Sequence, residues 1–160
     1  MDISNGKGLG VALFVQGCHF HCKNCFNKET WDFTGGKELT TMKVLELLSP
    51  LYKSQYSRLS ILGGEPLEPC NLTELTAICK FVKEYLPDKK IWLYTGYKIG
   101  NQIDFEDLQI FKYVDVVVDG QYVDELKDMS YPWAGSTNQR VIDVQKSKEC
   151  GKIILLETNN

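Results

Sequence analysis

Short apolar runs alternate along the chain with longer stretches whose apolar residues recur at helical spacing. The clearest runs predict four strands, at 11–15, 59–62, 91–94 and 114–118. Weaker runs at 139–144 and 153–156 predict two more. Nearly continuous apolar strands that alternate with helices are typical of a parallel sheet covered by helices on at least one face.

Three stretches between these strands predict helices. The first covers about 40–56, where Val44, Leu45 and Leu48 share a face. The second is expected to begin at Asn71, which with Glu74 resembles a capping box, and to end before Pro87. A short third helix is expected over 104–111.

The length limits how many such units can form. A closed barrel of eight strand–helix units needs roughly 250 residues, and this chain has 160. We therefore expect an α/β fold, a single domain over 1–160 that forms an open, partial (βα) barrel with a mostly parallel sheet.

Composition and charge exclude several classes of protein. The chain is 43% hydrophobic and 24% charged, which is typical of globular domains, and its net charge of −3 argues against a nucleic-acid-binding protein. Its longest apolar run, 11–15, is far shorter than a membrane helix, and the start lacks the pattern of a secretory signal. We expect a cytoplasmic protein, and in that reducing compartment clustered cysteines bind metal more often than they form disulfides.

Three of the six cysteines form one motif, Cys-x3-Cys-x2-Cys, in the loop after the first strand. Cys18, Cys22 and Cys25 can hold an iron–sulfur cluster and leave one position open for another ligand. Zinc is the alternative, with His19 and His21 as further ligands. The spacing and the position at a strand end favour iron–sulfur.

A second motif, Gly63-Gly64-Glu65-Pro66, follows the second strand. Glycines let a ligand approach the backbone closely, and Glu65 adds a negative charge beside them. We expect the glycine motif and the cysteine motif to do separate jobs.

Together these motifs, with Phe26 directly after the third cysteine, resemble the radical S-adenosylmethionine (SAM) superfamily. Within it, the chain is most similar to the activating proteins of anaerobic ribonucleoside-triphosphate reductase, which belong to the activating enzymes of glycyl-radical enzymes. The similarity includes the stretch Trp-Leu-Tyr-Thr-Gly-Tyr at 92–97 and runs from about Asn5 to Asp143. Because it begins so near the start, we expect a short leader of the relatives to be missing. The tail after Val144 matches nothing in that family.

The resemblance implies a role for each matched position. Cys18, Cys22 and Cys25 would hold a [4Fe-4S] cluster. SAM would lie against two groups of residues: Asn24, Cys25 and Phe26 in the cysteine loop, and Gly63, Gly64, Glu65, Thr95 and Asp119 at the strand ends. Related activases carry a lysine where this chain has Gln121, so the role of Gln121 stays open.

The resemblance also implies the activity. One electron from the reduced cluster would cleave SAM to a 5′-deoxyadenosyl radical, which would take a hydrogen atom from a glycine of the reductase. The implied electron donor is flavodoxin-like. The alternatives are an activase of another glycyl-radical enzyme, of the pyruvate formate-lyase type, and a non-catalytic zinc-binding module.

The remaining candidates are predicted to be structural or to contact the partner. Cys79 lies on an apolar helix face and is expected in the core, while Cys70 and Cys150 carry no predicted role. Arg140 is equally consistent with substrate docking and with an ordinary ion pair. We expect the segment from Trp133 to Arg140 to form a rim on which the reductase docks.

Overall fold

The protein is described by a computed structural model that covers residues 1–157. Five strands form one sheet, in which the spatial order equals the chain order: β1 (Leu9–Val15), β2 (Tyr56–Gly63), β3 (Lys90–Tyr94), β4 (Val116–Asp119) and β5 (Arg140–Asp143). The first four strands are parallel, and β5 pairs antiparallel with β4. The predicted α/β fold with a mostly parallel sheet is confirmed.

The described residues form three α-helices: α1 (Thr41–Leu48), α2 (Pro69–Tyr85) and α3 (Val144–Cys150). The first is shorter than predicted, because the chain tightens into a 3-10 turn over Ser49–Tyr52. Pro50 lacks a backbone N–H, so it cannot continue the helical hydrogen bonding. The apolar residues beyond it, including the fully buried Leu51, pack from this turn.

Three other predicted elements differ from the structure. Helix α2 begins at Pro69, two residues before the predicted start, since proline suits the first helical turn, where no N–H partner is needed. The stretch 104–111 is mostly turns, with a 3-10 helix at Gln109–Lys112. The last predicted strand is reduced to one bridge between Ile142 and Leu155.

The two faces of the sheet are covered differently. One face packs against α2, whose Leu75, Ile78, Cys79 and Val82 are buried in the main core, as predicted for Cys79. The opposite face, here called the inner face, carries a small apolar cluster centred on Trp92, Val116, Val118 and Val141. It also carries the buried polar residues Arg58 and Ser60 of β2.

No helix in the described part of the chain combines the length and the apolar character that crossing a membrane requires.

Candidate active site

A cavity of about 690 Å³ opens at the carboxyl ends of the strands. Its wall combines the cysteine loop, the glycine motif, the end of β3 and the loops after β4. The residues of this wall that the sequence had singled out are Cys18, Cys22, Cys25, Phe26, Gly63, Gly64, Glu65, Thr95 and Trp133. Strand ends of a parallel sheet are where ligands collect, and both motifs meet there.

The cysteine loop folds back on itself so that all three thiols line this cavity. His21 and Asn24 have left-handed backbone conformations, with φ of 47° and 54°, which turn the chain between the cysteines. The Cys25 N–H donates to the Cys22 carbonyl at 3.1 Å, and the Asn27 N–H donates to the Cys25 Sγ at 3.4 Å. These contacts hold the loop in a compact conformation.

Two of the thiols have perturbed pKa values. Burial raises the pKa of Cys18, although backbone N–H groups of Phe20 and His21 act against it. Burial also raises the pKa of Cys22, and the neighbouring Cys25 raises it further. Because burial disfavours the charged form, a thiolate at Cys18 or Cys22 needs a nearby positive charge, which the iron of a cluster would supply.

The arrangement fits a multinuclear cluster. Within residues 1–157, no three Cys, His, Asp or Glu side chains converge closely enough to hold a single metal ion. A [4Fe-4S] cluster does not require such convergence, because each thiolate binds a different iron. Three thiols spread along one wall of the cavity meet that requirement.

The glycine motif packs directly on the cysteine loop. The Gly64 N–H donates to the Val15 carbonyl at 2.9 Å, and the Glu65 N–H donates to the Gly17 carbonyl at 2.7 Å. A Cβ on Gly64 would lie 2.4 Å from the Gly17 oxygen and 2.9 Å from the Thr30 oxygen. The two motifs therefore share one packed backbone interface, and the expectation that they do separate jobs stays a prediction.

Glu65 is 1% exposed and stands between the glycine motif and β3. Its carboxylate accepts hydrogen bonds from the Thr95 hydroxyl and from the N–H groups of Leu67 and Gly96, each at 2.8 Å. Burial nevertheless raises its pKa to about 7. The side chain is thus held rigidly beside the cavity and is poised to change its charge near neutral pH.

Helix α2 reaches the same region through its first turn. The Asn71 side chain does not cap the helix; its amide donates to the Gln16 carbonyl at 3.0 Å and to the Glu65 carbonyl at 3.1 Å. Asn71 therefore joins the start of the cysteine loop to the glycine motif.

Two predicted cofactor residues lie outside the cavity wall. The Asn24 amide donates to the Asp124 carboxylate at 2.7 Å. Asp119 is 1% exposed, and its carboxylate accepts hydrogen bonds from the Arg140 guanidinium and from the Ile99 N–H. Both SAM contacts stay predictions.

The two ends of the predicted docking rim, Arg140 and Trp133, lie in different environments. Arg140 forms the ion pair with Asp119 and also donates to the Ile99 carbonyl at 2.8 Å, so its guanidinium is engaged within the protein. Trp133 lines the cavity and packs edge-to-face on Trp92, with ring centroids 5.3 Å apart. Gln121, whose role was open, is exposed and lies outside the residues that line the cavity.

The sequence analysis missed several residues of the cavity wall. They belong to the N-terminal segment, the inner face of the sheet and the loops beside the cysteines: Ser4, Asn5, Phe14, Phe20, Tyr94, Tyr122 and Met129. Phe14 and Tyr94 could have been found from alternation, since they lie on the inner face near the carboxyl ends of β1 and β3. Ser4 and Asn5 carry no such signal, because only tertiary contacts bring them there.

Known proteins resemble this chain over most of its length. A family model described as a 4Fe-4S single cluster domain matches residues 4–142. The anaerobic ribonucleoside-triphosphate reductase-activating protein of Enterobacteria phage T4 is 43% identical over 140 residues, which is 88% of this chain and 87% of that protein. The protein of the same name from Escherichia coli (strain K12) is 36% identical over 143 residues, 88% of this chain and 92% of the relative.

A further relative of that name, from Haemophilus influenzae, is 36% identical over 140 residues, covering 86% of this chain and 90% of its own length. No solved structure matches the chain. The matched regions include the cysteine loop, the glycine motif and the strand ends that build the cavity. The chain therefore belongs to the 4Fe-4S single cluster domain family and, within it, to the anaerobic ribonucleoside-triphosphate reductase-activating proteins.

Proposed function

We propose that this protein activates anaerobic ribonucleoside-triphosphate reductase by forming a glycyl radical on it, using a [4Fe-4S] cluster and SAM. The observation that carries the proposal is that the three thiols of the cysteine motif and the glycine motif line one cavity. The family of the chain supports the same conclusion.

Cys18, Cys22 and Cys25 hold the cluster, and their number leaves one iron available to the amino and carboxylate groups of SAM. The chemistry that the cluster and SAM would supply here is one-electron cleavage of SAM to methionine and a 5′-deoxyadenosyl radical, which would take a hydrogen atom from the substrate glycine to leave 5′-deoxyadenosine and a glycyl radical. The task of the protein is to orient the reacting groups and to exclude water.

The strand ends provide the orientation. Glu65, when ionised, attracts the SAM ammonium, and Thr95 fixes the Glu65 carboxylate through its hydroxyl. Gly63 and Gly64 line the cavity, and because they lack side chains the motif can pack closely on the cysteine loop while its backbone borders the ligand. Phe26 lies on the same wall, and we retain Asn24 and Asp119 as SAM contacts to be tested.

The open side of the fold suits a protein substrate. We propose that the sheet is an open, partial barrel of the radical SAM type, with β1 and β5 as its outer strands. Its uncovered side admits the glycine loop of the reductase, which then closes the cavity against water. A flavodoxin-like donor reduces the cluster, and the reaction takes place in the cytoplasm.

The test is an anaerobic activation assay. Protein purified and reconstituted without oxygen should contain iron and sulfide, and after reduction it should cleave SAM. With the reductase present, electron paramagnetic resonance should detect a glycyl radical. A radical formed only on a pyruvate formate-lyase type of enzyme would identify the alternative activase, and a colourless protein with one zinc would overturn the proposal.

A further inference from the structure

The inner face of the sheet carries a fully buried arginine that the proposed chemistry does not use. Arg58 of β2 is 0% exposed. It faces the interior beside Ser60 and lies next to Gly10 of β1 in the register of the sheet. An arginine is almost never fully buried unless it is paired. The groups that pair with Arg58 therefore indicate its structural role.

All the partners outside its own strand come from the first residues of the chain. The Nη1 group of Arg58 donates to the Asp2 carboxylate at 2.5 Å, and Nη2 donates to the Asp2 carbonyl at 3.3 Å. Nη1 also donates to the Ser60 hydroxyl at 2.6 Å, and that hydroxyl donates to the Asn5 carbonyl at 2.5 Å. Arg58 thus binds Asp2 directly and is connected to the Asn5 carbonyl through the Ser60 hydroxyl.

Asp2 in turn organises the residues after it. Its other carboxylate oxygen accepts hydrogen bonds from the Ser4 N–H at 3.2 Å and from the Asn5 side-chain amide at 2.9 Å. Ser4 and Asn5 are the residues of this segment that line the cavity. A chain of contacts therefore runs from Arg58 through Asp2 to the cavity wall.

Two glycines make the space that the guanidinium occupies. A Cβ on Gly10 would lie 2.4 Å from Arg58 Nη1, and a Cβ on Gly6 would lie 2.7 Å from the Trp92 ring and 2.9 Å from Arg58. The segment consequently lies flat against the inner face. Because the sheet does not close on itself, another part of the chain must shield the apolar residues of this inner face from solvent.

We infer that residues 2–6 form the floor of the active-site cavity and that Arg58, through Asp2, is the positioning residue that holds them there. The inference rests on the proposed function for the identity of the ligand, but the anchoring of the segment can be tested without any cofactor. Opening the floor would loosen the SAM site and admit water to the radical.

The experiment compares Asp2→Asn with Asp115→Asn. Both carboxylates are about equally buried, with side chains 11% and 12% exposed, and both pair with a cation. Asp115, however, binds Lys83 and the Ile91 N–H outside the residues that line the cavity. The two variants should lose comparable stability, and only Asp2→Asn should affect the floor.

Two readouts are needed. In the cofactor-free protein, hydrogen–deuterium exchange of the Gly10 amide, which donates to the carbonyl of Asp2, should accelerate at least tenfold in Asp2→Asn and stay unchanged in Asp115→Asn. At equal iron content, the SAM Kd should rise at least fivefold in Asp2→Asn only, and the amount of 5′-deoxyadenosine formed per glycyl radical should increase. Gly10→Ala, which displaces the guanidinium from the other side, should reproduce both effects.

The outcomes are distinct. Unchanged exchange in Asp2→Asn would overturn the anchoring role of Arg58. Faster exchange with an unchanged SAM Kd would overturn the inference that residues 2–6 form the floor of the cavity. If wild-type protein with a full cluster binds no SAM at all, the proposed function fails, whereas the exchange experiment still decides whether the segment is anchored.

Discussion

Gly64 and Gly17 approach so closely that a single methyl group on Gly64 would lie 2.4 Å from the Gly17 carbonyl oxygen. The contact joins the glycine motif to the residue directly before the first cysteine. Backbone lies on both sides of it, so neither partner can yield by rotating a side chain. We therefore expect the proposed cluster site and the proposed SAM site to be coupled.

This coupling predicts the result of Gly64→Ala. The variant should lose both iron content after reconstitution and SAM affinity, since the loop that carries Cys18 must shift, at a cost of about 1–3 kcal/mol for overpacking. Gly35→Ala is the matched control, because its Cβ would meet the end of the Gln16 side chain at 2.4 Å, and a side chain, unlike backbone, can rotate away. A Gly64→Ala protein with full iron content and weakened SAM binding would show that the motifs are independent after all.

The cysteines should divide into two groups. Replacing Cys18, Cys22 or Cys25 by Ala should remove most of the iron and all SAM cleavage, since each thiol lines the cavity. Cys70→Ser and Cys150→Ser should keep both, because these thiols are exposed. Iron analysis and anaerobic SAM cleavage on the same samples decide the matter, and a fully loaded, active Cys22→Ala protein would refute the assignment.

Cys79→Ser should behave differently from either group. Its thiol is fully buried in the core, and burial raises its pKa to about 12. A serine hydroxyl there costs about 1–3 kcal/mol without a hydrogen-bond partner. We expect a lower melting temperature with unchanged iron per folded protein. Loss of iron at full stability would mean that this helix affects the cluster.

Glu65 should make SAM binding depend on pH. Its pKa in the folded protein, about 7, lies above the ordinary 4.5, so its contribution to stability is fully present below about pH 4.5 and declines as the pH rises through 7. The ionised form attracts the SAM ammonium, so SAM affinity should increase roughly tenfold between pH 6 and pH 8. Titrations of the cluster-loaded protein measure this, with Glu65→Gln as control. A wild-type profile as flat as that of the glutamine variant would exclude the role.

Arg140→Ala should chiefly cost stability. Removing the guanidinium leaves the Asp119 carboxylate buried with the Ile99 N–H as its remaining partner, which destabilises by about 3 kcal/mol. Thermal unfolding checks this. Lys23→Ala, which breaks an exposed pair with Glu125, should change the melting temperature little. Equal melting temperatures for the two variants would show that the Asp119 pair is dispensable.

Partner docking should instead depend on the exposed apolar residues at the mouth of the cavity. Met129 is 77% exposed and Phe14 is 49% exposed, and both line the cavity. Met129→Ala should preserve melting temperature, iron and SAM affinity, and weaken reductase binding by more than about 1 kcal/mol. The surface Met42→Ala, at 74% exposure on α1, is the control. Identical reductase affinities for both variants would place the docking surface elsewhere.

Local pattern was sufficient to predict the five strands of the sheet and the position of both motifs at strand ends. The apolar run that contains Leu13 and the one that contains Ile61 could only be buried strands, and the spacing of three cysteines limits the ligands that they can bind. Both inferences depend on residues near one another in sequence, where composition and spacing carry the signal.

The remaining features depend on contacts between distant residues. Asn71 matches a capping box by sequence, yet its amide bridges two loops that the sheet brings beside the helix. Arg58 looks like an ordinary charged residue in a strand until the segment of Asp2 covers it. The role of Arg140 was left open because its partner, Asp119, lies on the neighbouring strand.

The order of the sheet has a consequence for how the protein is made. Each strand pairs with the one before it, so the sheet can grow along one edge as the chain leaves the ribosome. The three cysteines of the motif lie within the first 25 residues, whereas Trp133, Gly135 and Gln139, which complete the cavity wall, are synthesised much later. For most of its synthesis the nascent chain therefore presents its thiols on an unfinished wall, accessible to oxygen and to stray metal ions.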